Sequence, residues 1–170
     1  MNISHKKTLL LALLSWKAFS ADAVNIGVTG NIVASPCVFN GGNTNLDINL
    51  GNIQASNMVT PGSTSDPVAF DLLFTSCPLG TRSVTVTFAG TPDPAAGADY
   101  YMNSGSATGV AVAMSDAATG SLKGTGSSIT KAIAADSTAT MPMQAWVKSA
   151  SGGITPGSIS AVVVMTMQYN

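Results

Sequence analysis

The chain has 170 residues, enough for one domain with a sizeable core, and its net charge of −1 offers no basic surface for nucleic acid. Only 9% of the residues are charged, and Gly, Ser, Thr and Ala are abundant. Alternating stretches of Val, Ile, Leu and Phe nevertheless favour a folded β domain over a low-complexity chain.

The first residues have the pattern of a secretory signal peptide. A basic pair, Lys6-Lys7, precedes an apolar run from Thr8 to Trp16, and small residues follow. A run this short argues against the alternative, a membrane anchor, which needs ~20 apolar residues. We therefore expect residues 1–20 to be a signal peptide, cleaved after Ser20 or after Ala23, and the mature protein to be exported.

Predicted strands follow one another along the rest of the chain, because apolar and polar residues alternate between turn signals. Long helical periodicity is absent, and at most a short helical turn is expected within Pro92–Asp99. Several short strands separated by turns indicate an antiparallel β-sandwich. The predicted strands are 24–32, 46–50, 68–77, 84–88, 110–114, 141–147 and 159–169.

Two cysteines, Cys37 and Cys77, are the only ones in the chain. An even number in an exported protein predicts one disulfide, whereas the alternatives are a metal site or a reactive thiol. A metal site would need more soft ligands. We expect the pair on neighbouring strands, with Cα atoms ~4.4–6.8 Å apart.

Residues that carry catalysis are scarce. The chain has no Glu, and its one histidine, His5, lies in the expected signal peptide. The mature chain therefore cannot form a Ser–His–Asp triad. Its Asp residues are scattered beside turn residues, where turn capping is their more common role, although a pair of catalytic carboxylates stays open as an alternative. We expect no enzyme, no cofactor, no metal and no small-molecule substrate.

Aromatic residues and one glycine-rich stretch have simpler interpretations. Gly120–Gly126 contains Lys123 but lacks the phosphate-loop pattern, and predicts a flexible hairpin loop. Trp146 is expected in or beside the core. Tyr100-Tyr101, predicted to lie in a loop, could contact another subunit.

An ordered set of short motifs completes the sequence evidence. The set is an alternating N-terminal arm, Ala34-Ser35-Pro36-Cys37, Leu46-Asp47-Ile48-Asn49-Leu50-Gly51, Phe70-Asp71-Leu72-Leu73-Phe74 before Cys77, Val84-Thr85-Val86-Thr87-Phe88-Ala89-Gly90, Gly109-Val110-Ala111-Val112, and a C-terminal strand with Gly157 and a penultimate Tyr169. Together these motifs resemble the chaperone–usher fimbrial subunits, most closely the single-domain pilins of type 1-like fimbriae. The resemblance implies an incomplete immunoglobulin-like antiparallel β-sandwich that lacks its last strand.

The resemblance also assigns roles to the two ends of the mature chain. Residues 21–33 would be a donor-strand arm, and residues 34–170 the pilin domain. An alternative interpretation of the arm is an ordinary first strand of its own domain. The donor positions would be Val24, Ile26, Val28, Gly30 and Ile32. The strand that edges the acceptor groove and binds the chaperone would include Gly157, Ile159, Ala161, Val163, Met165, Met167 and Tyr169.

Partners and location follow from the same resemblance. We expect a periplasmic chaperone, an outer-membrane usher and neighbouring subunits, with export through the periplasm to a cell-surface fimbria that supports adhesion. The short arm and the Cys77–Arg82 stretch favour a minor, adaptor-type subunit. The alternatives are a sugar-binding tip adhesin, which would carry an extra lectin domain, and an exported enzyme on a β-sandwich.

Overall fold

A computed structural model of the chain describes residues 25–32 and 36–170. The expected signal peptide, Val24 and the motif residues Ala34 and Ser35 lie outside the described residues. The chain divides into two units between Asn31 and Ile32, and each is described by itself. Residues 25–31 of the first unit form neither helix nor strand.

Nine strands make up the described part of the second unit, together with short 3-10 turns at Asn40–Gly42 and Ala55–Met58. No helix in the described ranges is long and apolar enough to cross a bilayer. The strands are β1 Val38–Phe39, β2 Val68–Thr75, β3 Ser83–Gly90, β4 Pro92–Asp93, β5 Gly97–Met102, β6 Val110–Asp116, β7 Ser128–Ala132, β8 Ala139–Ser149 and β9 Val163–Tyr169.

All of these strands pair antiparallel, in two sheets. The larger sheet has the order β1-β2-β8-β6-β5-β4, and the smaller has the order β7-β3-β9. Alternate side chains of β3 and β8 are buried, as expected where a strand presents one face to a core. The all-β antiparallel fold predicted from the sequence is therefore confirmed.

The core consists of two groups of buried side chains. The larger group contains Leu72, Phe74, Val86, Phe88 and Met143, and includes both cysteines. The smaller group is formed by Met58, Val110 and Val147. The partly buried residues around the smaller group, among them Leu50, Ile53 and Ile159, all belong to segments outside both sheets. At the larger group, Leu46 also lies outside the sheets.

The two cysteines form the predicted disulfide. Cys37 immediately precedes β1 and Cys77 lies just beyond the end of β2, so the antiparallel pairing of β1 with β2 brings them together. The sulfur atoms are 2.08 Å apart, and the Cα–Cα distance of 4.2 Å is slightly shorter than expected. The bond joins the beginning of the pilin domain to the end of its second strand.

The prediction of secondary structure was wrong in several places, and the described residues 25–32 of the predicted strand 24–32 form no strand. Residues 46–50 alternate in burial but belong to no strand, because no neighbouring segment pairs with them. The last strand begins at Val163 rather than Ile159, since β3 ends at Gly90 opposite Val163. Pro92–Asp99 forms a tight β4–β5 hairpin instead of a helical turn, and Gly97 provides the positive φ of 102° that the hairpin needs.

Carboxylates at three turns have the capping role expected of them. Asp93, Asp116 and Asp136 each accept a backbone N–H from the residue two positions later. At Asp116, partial burial would raise the pKa, but hydrogen bonds from Ala118 and Thr119 and the charge of Lys123 outweigh it and hold the pKa below its usual value. These aspartates therefore stabilise turns.

Tyr101 connects the edge of the larger sheet to the loop after β6. Contrary to expectation, it lies in β5 and is almost fully buried. Its ring occupies the space beside Gly90, where an added Cβ would come within 2.7 Å of it. Its hydroxyl donates a hydrogen bond of 2.8 Å to the carbonyl of Lys123, and burial raises its pKa to about 12.

We predict that Cys37→Ser lowers both the yield of soluble subunit and its stability, because the disulfide closes a 40-residue separation that contributes roughly 4 kcal/mol in the chain-entropy account. Yield in the periplasm and the urea midpoint of the recovered protein measure this effect. The double variant Cys37→Ser/Cys77→Ser should match the single one. Finding both thiols free by non-reducing mass mapping of exported wild-type protein would contradict the pairing.

We predict that the free energy of unfolding falls between pH 10 and pH 12, partly because of Tyr101. Tyrosine ionises near pH 10 in an unfolded chain, whereas the folded protein holds the Tyr101 proton up to about 12. Stability is thus present below pH 10 and lost as the pH rises. Tyr101→Phe should weaken this dependence in urea unfolding, and Tyr100→Phe, on the opposite face of β5, is the control. Equal pH slopes for both variants and wild type would contradict the assignment.

Candidate functional site

Two segments of the chain face each other across a gap. Each partly buries every second residue, as a strand does, but no strand lies between them. In residues 46–50, Leu46, Ile48 and Leu50 are half-buried, while Asp47 and Asn49 are exposed. No backbone–backbone hydrogen bond joins residues 46–53 to any other described segment. The segment is therefore held by its side chains, and its backbone groups have no partner strand.

The opposite segment is the C-terminal stretch from Gly157, which continues into β9. Its predicted residues Ile159, Ala161, Val163 and Met165 are half-buried and alternate with exposed neighbours. Strand β9 pairs with β3 along one edge only, so its other edge is open. This segment therefore presents an unpaired strand edge. We call residues 157–169 the C-terminal wall and residues 46–53 the opposite wall.

A groove of about 600 Å³ lies between these two walls. Its floor is apolar and belongs to the core-facing sides of both sheets, so the gap reaches the interior of the sandwich. The floor residues are Phe70, Leu72, Phe88, Val112, Met114 and Ala145. The groove has the form of a place for one further strand.

Side chains under the groove position both walls. Leu50 and Ile53 on one wall and Ile159 on the other pack against the same buried group of Met58, Val110 and Val147. The walls are therefore fixed from below rather than by pairing with each other. No strand of the described residues fills the gap between the two walls.

The structure brings five of the seven predicted wall residues to the groove: Gly157, Ile159, Ala161, Val163 and Met165. Met167 and Tyr169 continue the same strand and pack against the larger core group. Partial burial raises the pKa of Tyr169, whose hydroxyl lies 3.5 Å from the Met167 sulfur. The last residue is also anchored, since the Asn170 carbonyl accepts the backbone N–H of Ser83.

A polar segment outside both sheets supports the upper part of this wall. Residues 103–108, between β5 and β6, run beside residues 155–160 and form backbone hydrogen bonds with them, such as Ala107 N to Ser158 O at 3.0 Å. Asn103 donates to and accepts from both segments. We call residues 103–108 the support segment.

Sequence reasoning missed this support and the full extent of the opposite wall. Asn103-Ser104-Gly105-Ser106 has the composition of an ordinary loop, and nothing in it indicates a distant partner. Residues 46–50 were predicted as a strand and Leu46–Gly51 was quoted as a motif, but neither was identified as a wall of the groove. The alternation of Leu46, Ile48 and Leu50 could have marked this segment as the wall opposite the C-terminal strand.

The predicted donor positions that the structure describes have exposed side chains. Ile26 is 85% exposed, Val28 89% and Ile32 105%, and residues 25–32 include no strand. The alternative of an ordinary first strand is not observed there, since the first described strand is β1 at Val38–Phe39. Whether these residues act as a donor strand stays a prediction.

The chemistry of the groove fits a polypeptide. Its lining is apolar apart from backbone groups and short polar side chains such as Asn49, Asn52, Ser158 and Ser160, with Asp47 exposed at the rim. In the described ranges, no cluster of three or more His, Cys, Asp or Glu is placed to hold a metal ion. An apolar floor between two open backbone edges is suited to binding an alternating strand.

Comparisons with known proteins agree with this geometry. Residues 26–170 match the family described as "Fimbrial protein". The S-fimbrial adhesin protein SfaS of Escherichia coli O6:K15:H31 (strain 536 / UPEC) is 37% identical over 168 residues, covering 96% of this chain and 98% of that protein. Protein FimG of Escherichia coli K12 is 34% identical over 164 residues, covering 95% of this chain and 93% of that protein.

A solved structure supports the fold. The P pilus rod subunit PapA superposes with a TM-score of 0.66 at 21% identity, over 80% of this chain and all of that chain. The family match covers most of the sequence, and the two relatives are similar over nearly their whole lengths. The chain therefore belongs to the fimbrial protein family, the subunits from which bacterial surface fimbriae are built.

Proposed function

We propose that this subunit polymerises by donor-strand exchange, in which its groove accepts the N-terminal arm of one neighbouring subunit and its own arm, residues 21–33, enters the groove of another. As a fimbrial structural subunit, the protein is exported through the periplasm to the cell-surface fimbria. The observation that carries the proposal is the groove itself, which has two unpaired backbone edges above a core-deep apolar floor.

The dimensions of arm and groove support the exchange. The wall residues 157–165 span nine positions, as do residues 24–32 of the arm. Nine residues of strand are about 30 Å long. The arm alternates apolar residues with polar residues or glycine, and the wall alternates half-buried with exposed residues, both with a period of two. One register would therefore place every apolar arm residue over the floor.

The free energy of side-chain burial also favours the arm as the strand that occupies the groove. Ile26 and Val28 are exposed in the single chain, and burying an aliphatic side chain of this size contributes about 1.5–3 kcal/mol. The backbone of an inserted strand would also pair with the open edges of both walls. Gly30 would fit where the groove leaves no room for a side chain.

An open groove of this kind requires protection before assembly. Exposed apolar floor and unpaired strand edges promote aggregation. A periplasmic chaperone that inserts its own strand would cover them until the outer-membrane usher brings two subunits together. The wall from Gly157 to Tyr169 is the edge with which we expect the chaperone to pair.

The relatives are structural fimbrial proteins, and we propose that this subunit likewise has no enzymatic activity. SfaS is named an adhesin, but FimG and the family match indicate a structural subunit, so the tip-adhesin alternative is not better supported. Whether the subunit lies in the rod or at an adaptor position stays a prediction.

We predict that Ile26→Asp leaves the domain folded and bound to its chaperone but prevents addition to a preceding subunit. An unpaired carboxylate would have to enter an apolar groove, at a cost of several kcal/mol. SDS-resistant ladders on gels measure polymerisation, and co-purification measures capture. Thr29→Asp, at an arm position of opposite alternation, is the control and should polymerise. Normal ladders from Ile26→Asp, or an unfolded domain, would refute the donor role.

We predict that removing Tyr169 and Asn170, or changing Gly157 to a bulky residue, abolishes capture by the chaperone. Truncation removes the packing of Tyr169 on the core group and the bonds of Asn170 to β3. At Gly157, an added Cβ would overlap the backbone nitrogen of Ala107. Asn170→Ala keeps the backbone bonds and is the control. Co-purification of the truncated subunit at normal yield would show that the assignment of this edge is wrong.

A further inference from the structure

We propose that Asn103 is a positioning residue that fixes the upper part of the C-terminal wall, residues 157–161, and so orients the backbone edge with which a donor strand would pair. This inference rests on the proposed function, because it concerns the binding of a donor strand. The support segment, and not the smaller sheet, is what holds this part of the wall.

The need for such support follows from the length of β3. Its pairing with β9 ends where Gly90 lies opposite Val163. Residues 157–161 extend beyond that point, so β3 offers them no backbone partner. Without another neighbour, this half of the wall would be a single unpaired strand end.

Asn103 makes the central contacts between the support segment and this part of the wall. Its side-chain oxygen accepts the backbone N–H of Ser160 at 2.8 Å and that of Gly105 at 3.0 Å. Its side-chain nitrogen donates to the carbonyls of Ala107 at 2.8 Å and Ser158 at 3.4 Å. All four hydrogen-bonding positions of the carboxamide are used, and two of them hold the wall.

Serines and glycines complete a close approach between the two segments. Ser106 and Ser158 exchange hydrogen bonds between each side chain and the other's backbone N–H, at 3.0 and 2.9 Å. An added Cβ on Gly105 would overlap the carbonyl of Ser158, so only glycine permits this spacing.

The direction of these bonds determines which groups remain for a donor strand. Ser158 and Ser160 direct their backbone groups to the support segment. In an extended chain, successive residues direct their backbone groups to opposite edges. Gly157, Ile159 and Ala161 therefore present theirs to the groove, and they have no backbone hydrogen bond to another described segment. Asn103 thus orients the free edge that a strand would pair with.

The test compares Asn103→Ala with wild type in the full mature chain, purified with its periplasmic chaperone. The probe is a synthetic peptide with the sequence of residues 24–32, whose uptake is followed as an SDS-resistant complex, together with amide exchange of that complex. We expect Asn103→Ala to take up the peptide about tenfold more slowly and to exchange the Ser160 amide faster, with the β3–β9 amides unchanged. Asn43→Ala, which removes one hydrogen bond in an exposed loop, is the matched control and should behave as wild type.

Each outcome decides a different point. Wild-type uptake together with faster Ser160 exchange in Asn103→Ala would overturn the positioning role while leaving donor-strand exchange intact. If wild type itself takes up no peptide, the proposed function fails and this inference falls with it. Should Asn103→Ala not be recovered, Ser106→Ala removes only the serine contacts of the same support, and unchanged peptide uptake by that variant would count against the proposal.

Discussion

The demand that backbone hydrogen-bonding groups be paired governs this molecule. Strands β3 and β8 each have a partner on both sides, whereas residues 46–53 and the C-terminal wall face each other across a groove of about 600 Å³. The groove floor is apolar and reaches the interior of the sandwich, so the domain is incomplete both in its backbone pairing and in the cover over its core. A strand inserted in the gap, as we propose, would pair these backbone groups and cover the floor in one step.

The composition of the chain is suited to recognition without charge. With few charged residues and an apolar groove floor, an incoming strand would be selected by register and side-chain size rather than by ion pairs. Methionine at two groove positions, Met114 and Met165, adds flexible side chains that adapt to different residues above them. Such a groove can accept related arms of slightly different sequence.

Alternation and turn residues predicted the sandwich well, because strands such as β3 and β8 bury every second residue. The disulfide and the C-terminal wall were likewise accessible from the sequence. Strand β7 and the β4–β5 hairpin could not be predicted from the sequence, because apolar and polar residues alternate only weakly there. Tertiary contacts place these residues, such as the hydrogen bond from the Tyr101 hydroxyl to the carbonyl of Lys123. Asn103 was also beyond reach, because its partners at Ser158 and Ser160 are more than fifty residues away.

The disulfide has a mechanical consequence for an assembled fibre. Cys37 follows the arm by only a few residues and is bonded to Cys77 beyond the end of β2. When the arm is under tension, the two-residue strand β1 would be the first element to peel if it bore the load alone. The covalent bond would instead transfer tension directly to β2, which is paired with the eleven-residue strand β8 through seven positions. If the arm joins subunits as proposed, tension between them would therefore enter the domain at the seven-position ladder of β2 and β8.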